Sequence, residues 1–378
     1  MTLVFLSHDS SCIGGAQKCL LDLIKGIKQI HPNWKMYLIS PGQGDLVEAC
    51  QPYINGYLIV RMKWWLMEQK KVHSVKKMIS YGIHSIKPIL KIKRYLQKNQ
   101  VDYAISNTLV LPHLALACQW TGISHTWFVH EIPNLTWHNM ALLAGTRKTL
   151  KLVNQLSDHI LVPSDYAYRY YQTYLTPNKL HVIVQAVELP LSNETTPLSN
   201  NDNYSVLLVG AFDSNKGQLE LLQAAHLIHR SHKKINVYLI GPDCGEMDSC
   251  IQYVQENGME DFVEIRPFTS DIHSYYRHTD LVVVCSQVET FGRVAIEAQL
   301  CGLPVILANT SANTERIIDG VNGLLYEKGN IQDLACKIEE LRPKEIRQRM
   351  RQNLNLKELA TTFSASAFAQ RFCNILLN

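Results

Sequence analysis

Short apolar runs alternate with amphipathic stretches along almost the whole chain. Most of the runs are apolar without interruption, which is the pattern of strands covered by helices on both faces. The stretches between them carry apolar residues at helical spacing, for example over 15–30, 165–175, 216–231 and 292–302. Repeated strand–helix units predict an α/β fold with parallel, doubly wound sheets. The predicted strands are LVFLS, KMYLIS, GYLIV, DYAIS, HTWFVH, HILVPS and LHVIV in the first half, and SVLLVGA, INVYLIG, FVEIRP, LVVVCS and LPVILA in the second.

The chain length and one polar stretch indicate two domains. The chain has 378 residues, more than a single hydrophobic core usually accommodates. Residues 189–204, LPLSNETTPLSNNDNY, are rich in Ser, Asn, Thr and Pro without periodicity, as an interdomain linker is. We therefore predict one Rossmann-like domain over 1–188 and another over 205–362, facing each other across a ligand-binding cleft. A final amphipathic helix is predicted over 363–378.

Composition indicates a soluble globular protein, with 46% hydrophobic and 19% charged residues. Ten cysteines occur without a C-x-x-C pair, so we expect buried reduced thiols rather than a disulfide framework or metal site. The N-terminal sequence MTLVFLSHDS lacks the basic region of a signal peptide, and no run approaches the roughly 20 apolar residues of a membrane-spanning helix. We expect a cytoplasmic protein. The formal net charge of +4 is too small to indicate a nucleic-acid partner.

One segment, residues 61–98, concentrates positive charge. It holds eleven Lys or Arg residues and one acid, Glu68, and it interleaves Trp64, Trp65 and Met67 with those charges. Basic amphipathic helices with exposed aromatic residues suit the surface of an anionic membrane. The segment therefore predicts a peripheral protein on the inner face of the membrane. The alternative is a solvated helical face whose aromatic side chains belong to the core.

Two glycine-containing turns follow predicted strands and open predicted helices. At Gly14 and Gly15 the backbone can approach a ligand closely, and free N–H groups favour an anion. Gly210 ends a strand, and Lys216 with Gly217 opens the next helix, where a lysine can meet a diphosphate. The first turn is not a full G-x-G-x-x-G fingerprint and lacks the acidic residue of a nicotinamide dinucleotide site, which is therefore disfavoured. A simple tight turn is the alternative reading.

Two glutamates stand eight residues apart in the stretch SQVETFGRVAIEAQLCG, residues 286–302. If the intervening run were all helix, Glu289 and Glu297 would be roughly 12 Å apart along its axis. A glycosidase-type acid/base pair needs about 5 to 9.5 Å. The N–H groups of residues 290–293 would be unpaired donors at a helix start, suited to phosphate oxygens. The spacing therefore favours a clamp on the two ends of an extended ligand, with phosphates between the carboxylates.

His130 ends a predicted strand in FVHEIP, on the side of a doubly wound sheet where ligands bind. A structural histidine is an equally good explanation of that position alone. His8, at the end of the first strand, has the same two explanations.

The SQVETFG run with its second glutamate resembles the E-x7-E motif of retaining GT-B glycosyltransferases of family 4. The sequence that follows it, CGLPVILANTSANTERIIDGVNGLLYEKGNIQDLA, is similar to that family's C-terminal sequel. IGGAQKCLLDL and FVHEIP match the family's N-terminal glycine loop and histidine motif. The resemblance spans nearly the whole chain, is weakest over 40–100, and implies that the helix at 363–378 crosses back to the N-terminal domain.

The resemblance implies a role for each matching position in a site for a nucleoside diphosphate sugar. Glu289 would contact the hydroxyls of the donor sugar, and Glu297 those of the ribose. Lys216 would neutralise the charge that grows on the leaving nucleoside diphosphate, and His130 would lie against the donor sugar near the reacting carbon. The other positions implied to line the site are Gly14, Gly15, Gly210, Thr290, Phe291, Gly292 and Arg293 near the diphosphate, and Pro267 and Phe268 at the nucleobase.

The expected activity is transfer of a sugar from a nucleotide sugar to a lipid-linked or glycan acceptor in polysaccharide or glycolipid biosynthesis, with retention. No cofactor is expected, and no metal, because no D-x-D lies at a strand end. Ala211 stands where the family usually has arginine, so one of two cations expected on the diphosphate is missing; either Arg293 or another basic residue compensates, or catalysis is weak. The alternative is a non-catalytic GT-B protein that binds nucleotide or acceptor and supports a partner enzyme. A sugar-nucleotide epimerase fits the sequel less well.

Overall fold

The computed structural model describes residues 1–69, 74–133, 135–136, 140–189, 204–231, 233–269 and 271–377. The predicted linker over 189–204 lies outside the described residues except for its two end residues. The chain divides into two compact units. Unit 1 is Met1–Glu188 with Thr362–Asn378, and unit 2 is Leu189–Thr361.

Unit 1 contains two sheets and seven α-helices among the described residues. Its strands are β1 (Thr2–Leu6), β2 (Lys35–Ser40), β3 (Gly56–Ile59), β4 (Leu66–Glu68), β5 (Tyr103–Ser106), β6 (Ser124–Phe128), β7 (Met140–Leu142), β8 (His159–Val162) and β9 (Leu180–Val182). Its helices are α1 (Gly15–Ile30), α2 (Asp45–Cys50), α3 (Val75–Lys98), α4 (His113–Gln119), α5 (Thr146–Gln155), α6 (Asp165–Tyr171) and, at the C-terminus, α14 (Ala365–Leu377).

The main sheet of unit 1 is parallel throughout, in the order β3-β2-β1-β5-β6-β8-β9. The chain winds outward from β1 in one direction and then, from β5, in the other. This reversal is the topological switch at which open α/β sheets bind ligands beyond the carboxyl ends of their strands. Strands β4 and β7 form a separate antiparallel pair that the sequence did not predict, because three residues are too few to show a period.

Unit 2 repeats the same plan with a six-stranded sheet among the described residues. Its strands are β10 (Ser205–Val209), β11 (Asn236–Ile240), β12 (Val263–Arg266), β13 (Leu281–Val284), β14 (Val305–Ala308) and β15 (Leu324–Tyr326). Its helices are α7 (Gln218–Arg230), α8 (Met247–Glu256), α9 (Ile272–Arg277), α10 (Arg293–Leu300), α11 (Ile331–Glu340), α12 (Lys344–Gln352) and α13 (Leu356–Thr362). All strands are parallel in the order β12-β11-β10-β13-β14-β15, so the switch lies between β10 and β13.

The C-terminal helix belongs to the core of unit 1. Phe368 and Phe372 of α14 are fully buried with residues of α1 and of the main sheet. The two helices cross closely at Gly26, where a Cβ would lie 2.0 Å from the carbonyl oxygen of Ala365. A glycine is therefore required at this crossing, since backbone cannot move aside as a side chain can.

The basic segment 61–98 is only partly helical, because α3 begins at Val75 and β4 precedes it. Trp65 is buried, stacks on Trp127 at 6.0 Å and donates its indole N–H to a main-chain carbonyl. Trp64 is 44% exposed. Of the two tryptophans in this segment, Trp65 therefore belongs to the core and Trp64 lies at the surface. No helix in the described part of the chain has the length and apolar character to cross a bilayer.

Candidate functional site

The loop after β10 holds Lys216 by its backbone. The Asp213 carboxylate accepts hydrogen bonds from the N–H groups of Asn215 at 2.9 Å and Lys216 at 3.0 Å. Gly217 then turns the chain into α7 with φ of 68°, in the left-handed region. A Cβ at Gly217 would lie 2.6 Å from the carbonyl oxygen of Cys285, at the end of β13. Glycine at this position lets the loop sit directly against the neighbouring strand.

The loop after β13 holds Glu289 just as firmly. The N–H of Glu289 donates to the Ser311 hydroxyl at 2.8 Å, and its carbonyl accepts from the N–H of Ala312 at 3.1 Å. Asn215 links the two loops, because its side-chain amide bonds both the N–H of Val288 at 2.9 Å and the carbonyl of Val288 at 3.0 Å. The residues directly before Lys216 and Glu289 are therefore bonded to each other.

Lys216 and Glu289 form an ion pair, with 2.5 Å between Nζ and Oε1. They are 73 residues apart in sequence and meet because β10 and β13 are adjacent at the switch of the sheet. The two side chains retain 25% and 16% of their exposure. Burial alone would lower the pKa of Lys216, but the Glu289 carboxylate and the nearby Asp213 outweigh burial and raise that pKa above its usual value. Lys216 is therefore a fixed positive charge at a partly open site.

Glu297 is buried on the first turns of α10, where its carboxylate accepts from the Tyr276 hydroxyl at 2.9 Å and from Arg293 Nε at 3.0 Å. Burial, followed by the Glu297 charge, raises the pKa of Tyr276 well above its usual value. Helix α10 begins at Arg293, after Gly292 with φ of 79°. The run from Glu289 is thus not all helix, and the separation of roughly 12 Å expected for a continuous helix does not apply.

Three helices at the carboxyl ends of the two sheets begin after glycines. Gly14, Gly217 and Gly292 are the N-terminal caps of α1, α7 and α10, and none of the three helix starts has a side-chain cap hydrogen bond. The first-turn N–H groups of such a helix point outward and favour an anion. Just before α10, Thr290 is partly exposed and Phe291 is buried. The guanidinium of Arg316 lies over the Phe291 ring, 5.1 Å from its centre.

The other predicted positions of unit 2 lie along the same edge of its sheet. Gly210 faces the aliphatic stem of Lys216, since a Cβ at Gly210 would be 3.2 Å from Lys216 Cγ. Pro267 and Phe268 follow β12 and are exposed, Phe268 at 40%. Ala211 is held by its carbonyl, which accepts from the side-chain amide of Gln218 at 2.7 Å.

In unit 1, His130 is held through both ring nitrogens. Nδ1 is 3.2 Å from Gln185 Nε2, and Nε2 is 2.9 Å from Asn107 Oδ1. Asn107 is itself oriented by donating to the carbonyl of Ala16 on α1 at 2.8 Å. Because an amide nitrogen can only donate, Nδ1 accepts and Nε2 carries the proton. Burial, with a smaller contribution from His8, lowers the pKa of His130 to about 3, so the ring is neutral at physiological pH.

The glycine turn of unit 1 lies close to this histidine. Gly14 lies under the Gln17 amide, since a Cβ at Gly14 would be 2.2 Å from Gln17 Oε1. The same amide bonds His8 at 3.2 Å. A Cβ at Gly15 would meet nothing within 4 Å, so that face is open. The first turn of α1 and the carboxyl ends of β1, β5 and β6 therefore share one region of unit 1.

Two family models match the chain. One, described as Glycosyl transferases group 1, matches residues 193–356, and the other, described as Glycosyltransferase Family 4, matches residues 13–189. The chain belongs to glycosyltransferase family 4. The family-4 chain has the GT-B fold, as predicted, with two parallel-sheet α/β units.

Curated relatives match parts of the family-4 chain. It is 31% identical over 145 residues to D-inositol 3-phosphate glycosyltransferase of Paenarthrobacter aurescens, covering 37% of this chain and 36% of that one. It is 31% identical over 144 residues to the capsular polysaccharide biosynthesis glycosyltransferase CapM of Staphylococcus aureus, covering 37% of each chain. The chain thus spans little more than a third of these relatives. Anabaena HepE in complex with UDP and glucose superposes with a TM-score of 0.77 at 20% identity, covering 100% of both chains.

The structure brings together the predicted site residues within each unit of the family-4 chain. Lys216 and Glu289 are paired in unit 2, and His130 lies near the glycine turn of unit 1. Their roles stay predictions. Residues that hold the site but were not singled out from the sequence are Asn107, Gln185, Asn215, Tyr276, Ser311 and Arg316. Asn215 could have been identified from the sequence, because it directly precedes Lys216. The other five residues come from elements far from the predicted site residues in sequence.

Proposed function

We propose that the chain is a retaining glycosyltransferase that moves a sugar from a nucleoside diphosphate sugar to an acceptor presented at a membrane. The observation that carries this proposal is the Lys216–Glu289 pair at the ends of β10 and β13, flanked by the glycine-started helices α7 and α10. A fixed ammonium with uncapped helix starts suits a diphosphate, and a carboxylate beside it suits sugar hydroxyls. The UDP and glucose bound to HepE are consistent with such a donor.

In the proposed reaction, the bond between the anomeric carbon and the diphosphate oxygen breaks as the acceptor oxygen bonds to the same face of that carbon. The acceptor proton passes to the leaving diphosphate oxygen. Both glutamates of the E-x7-E motif are ion-paired, Glu289 with Lys216 and Glu297 with Arg293. These pairs suit binding better than acid/base catalysis. Lys216 would stabilise the charge on the leaving group, without moving a proton. Metal independence is part of the proposal.

A panel of sugar nucleotides in a thermal-shift assay, followed by donor turnover, tests this function. A ligand that binds only the native state raises the unfolding temperature in step with its affinity. We expect one class of sugar nucleotide to stabilise the protein and to be hydrolysed slowly, and Glu289→Ala to abolish the hydrolysis. The second candidate, a non-catalytic nucleotide-binding protein, is motivated by Ala211. It would bind the same ligands but release no sugar with or without Glu289.

Restoring the missing cation tests how far Lys216 acts alone. Arg293, a candidate for compensation, is engaged with Glu297 instead. We therefore expect Ala211→Arg to add a second charge near the diphosphate and to tighten nucleotide binding by about tenfold, the effect of roughly 1.4 kcal/mol. Calorimetric titration with UDP measures the change, and Ala211→Gln controls for side-chain size. Equal affinity in the Arg variant and the native protein would favour compensation by another basic residue.

The exposed face of α3 supports membrane presentation of the acceptor. Ser85, Ile89 and Leu96 are among the residues that bury one side of the helix. A second side, turned by about 110° at 3.6 residues per turn, carries apolar residues that face solvent. Val75 and Ile83 on that side are 68% and 63% exposed. The full apolar strip, which we call the α3 strip, is Val75, Ile79, Ile83, Ile86 and Leu90.

Basic residues border the α3 strip on the side away from the core. Exposed members of this border are Lys76, Lys87, Lys91, Arg94 and Lys98. An apolar strip with a cationic border is the arrangement by which an interfacial helix binds anionic lipid. Trp64 is not part of this strip, because its ring packs edge-on against His8 at 5.6 Å.

Vesicle flotation tests this surface. We expect the protein to float with phosphatidylglycerol-containing vesicles and not with phosphatidylcholine alone. Ile79→Glu with Ile83→Glu should reduce flotation by an order of magnitude or more, since each buried aliphatic side chain is worth about 1.5–3 kcal/mol. Leu227→Glu, at an exposed apolar residue of α7, is the matched control and should float normally. Flotation that survives the double change would contradict the α3 strip as the contact.

Assembly of a polysaccharide, as in the name of CapM, is the proposed pathway class.

A further inference from the structure

We propose that Glu289 competes with the nucleotide for Lys216, so that the donor site binds a sugar nucleotide in preference to the free nucleoside diphosphate. The inference rests on the proposed function and adds a specificity role to the same pair. In the structure the charge expected to meet a diphosphate is already occupied by a carboxylate of the same unit, at 2.5 Å. A diphosphate must therefore displace Glu289 or share Lys216 with it.

The pair is preformed rather than a chance contact of two long side chains. Asn215 bonds both backbone groups of Val288, and Ser311 bonds the N–H of Glu289. Asp213 fixes the N–H of Lys216. Each partner thus starts from a bonded backbone, so forming the pair orders the two side chains without also having to order the loops. The ion pair is consequently a defined arrangement of these two loops.

The two possible ligands differ in what they offer Glu289. A nucleoside diphosphate brings only negative charge, so when it takes Lys216 it leaves the Glu289 carboxylate beside the diphosphate without its cation. Two like charges at such a distance repel, and a carboxylate with 16% exposure is poorly compensated by water. A sugar nucleotide brings hydroxyl donors at the same time, and these can bond Glu289 as Lys216 turns to the phosphates.

The same competition acts in opposite directions before and after transfer. Before transfer, the sugar satisfies Glu289 and the diphosphate has Lys216. After transfer, the sugar leaves with the acceptor, and Glu289 regains its attraction for Lys216 while repelling the diphosphate. Ala211 strengthens the effect, because the arginine usual at that position is absent and Lys216 carries more of the diphosphate charge. We therefore expect weak product inhibition by the nucleotide.

Glu289→Gln separates the two ligands. Glutamine keeps the size of the side chain and one acceptor oxygen, replaces the other oxygen with an N–H donor, and removes the charge that holds Lys216. We expect free UDP to bind the variant about tenfold more tightly than the native protein, whereas the affinity for UDP-glucose rises less or falls. Calorimetric titration with UDP, ADP and GDP, each with its glucose derivative, measures the ratio of the two affinities for each base. The expected result is a lower preference for the sugar nucleotide in the variant.

Glu339→Gln is the matched control, since Lys233 and Glu339 form a pair of the same 2.5 Å length in unit 2. It should leave both affinities unchanged. Glu289→Ala provides a second variant, with the same expected gain for the free nucleotide, if the glutamine variant folds poorly.

Equal or weaker UDP, ADP and GDP binding by the Glu289 variants, in a native protein that turns over a sugar nucleotide, overturns the competition and leaves the proposed function standing. If neither the native protein nor the variants bind any of these nucleotides, the competition and the donor site fall together. Tighter nucleotide binding by the variants alone supports the competition.

Discussion

Lys216→Met lowers sugar-nucleotide turnover by about 10²–10³-fold, the loss expected when a single fixed charge that stabilises a leaving group is removed. Lys216 meets this description because Asp213 and Asn215 hold its loop and its pKa is raised, so it is charged before any ligand arrives. Ala211 leaves no arginine beside it to share the charge. Initial rates, measured with the sugar nucleotide that most stabilises the protein against heat, give the magnitude.

Two further variants show that charge, and not folding, is responsible. Lys216→Arg keeps the charge and should recover part of the rate. Lys216→Met leaves Glu289 without its cation, so the double variant with Glu289→Gln should be more stable than Lys216→Met alone while remaining inactive. Lys233→Met, at the remote pair with Glu339, should retain full turnover. A Lys216→Met protein with more than about a tenth of native turnover would show that the leaving-group charge is stabilised elsewhere.

Gly241→Ala destabilises unit 2 by about 2–3 kcal/mol and weakens nucleotide binding with it, the cost of forcing extra atoms into a filled space. A Cβ at Gly241 would lie 1.9 Å from the carbonyl oxygen of Gly210 and 3.1 Å from the N–H nitrogen of Ala211. These neighbours are backbone, so no rotamer change relieves the clash. The ends of β10 and β11 must separate there, which moves the loop that carries Lys216.

Denaturant unfolding and UDP titration measure the two effects of Gly241→Ala. The control is Gly258→Ala, in the turn between α8 and β12. Gly258 has φ of 61°, and a Cβ there would meet nothing within 4 Å. Its cost is therefore backbone strain alone, about 1 kcal/mol, with unchanged UDP affinity. If Gly241→Ala and Gly258→Ala lowered the free energy of unfolding and the UDP affinity equally, the close approach of Gly241 to Gly210 would not be what holds the Lys216 loop in place.

The strands could be predicted largely from the pattern of apolar residues in the sequence. All twelve predicted strands correspond to strands of the structure, because most of them are short apolar runs that stand out from the polar residues around them. The strands that were not predicted, β4, β7 and β15, have three residues each. The predicted helix over 165–175 is shorter in the structure, where α6 ends at Tyr171 and the chain continues through turns to a 3-10 helix at Pro177–Lys179.

The hydrogen-bond partners of the site residues could not be predicted from the sequence pattern. Lys216, Glu289, His130 and the glycine turns were each identified from local sequence and from resemblance, but their partners were not. Tyr276 reaches Glu297 from α9, and Gln185 reaches His130 from 55 residues away. A side chain that bonds another loop leaves no period in the sequence, because such a bond depends on which strands are neighbours and on a direction set by one rotamer.

The sequence by itself determined the α/β class, the parallel strands, the family and the identity of the charged groups, since each follows from local composition, period or motif. Tertiary structure alone decided that Lys216 and Glu289 face each other and that Glu297 is enclosed by Arg293 and Tyr276. Both outcomes follow from side-chain contacts between loops and helices at the carboxyl edge of one sheet. Because β10 and β13 are adjacent strands, Lys216 and Glu289 lie 2.5 Å apart although 73 residues separate them in sequence.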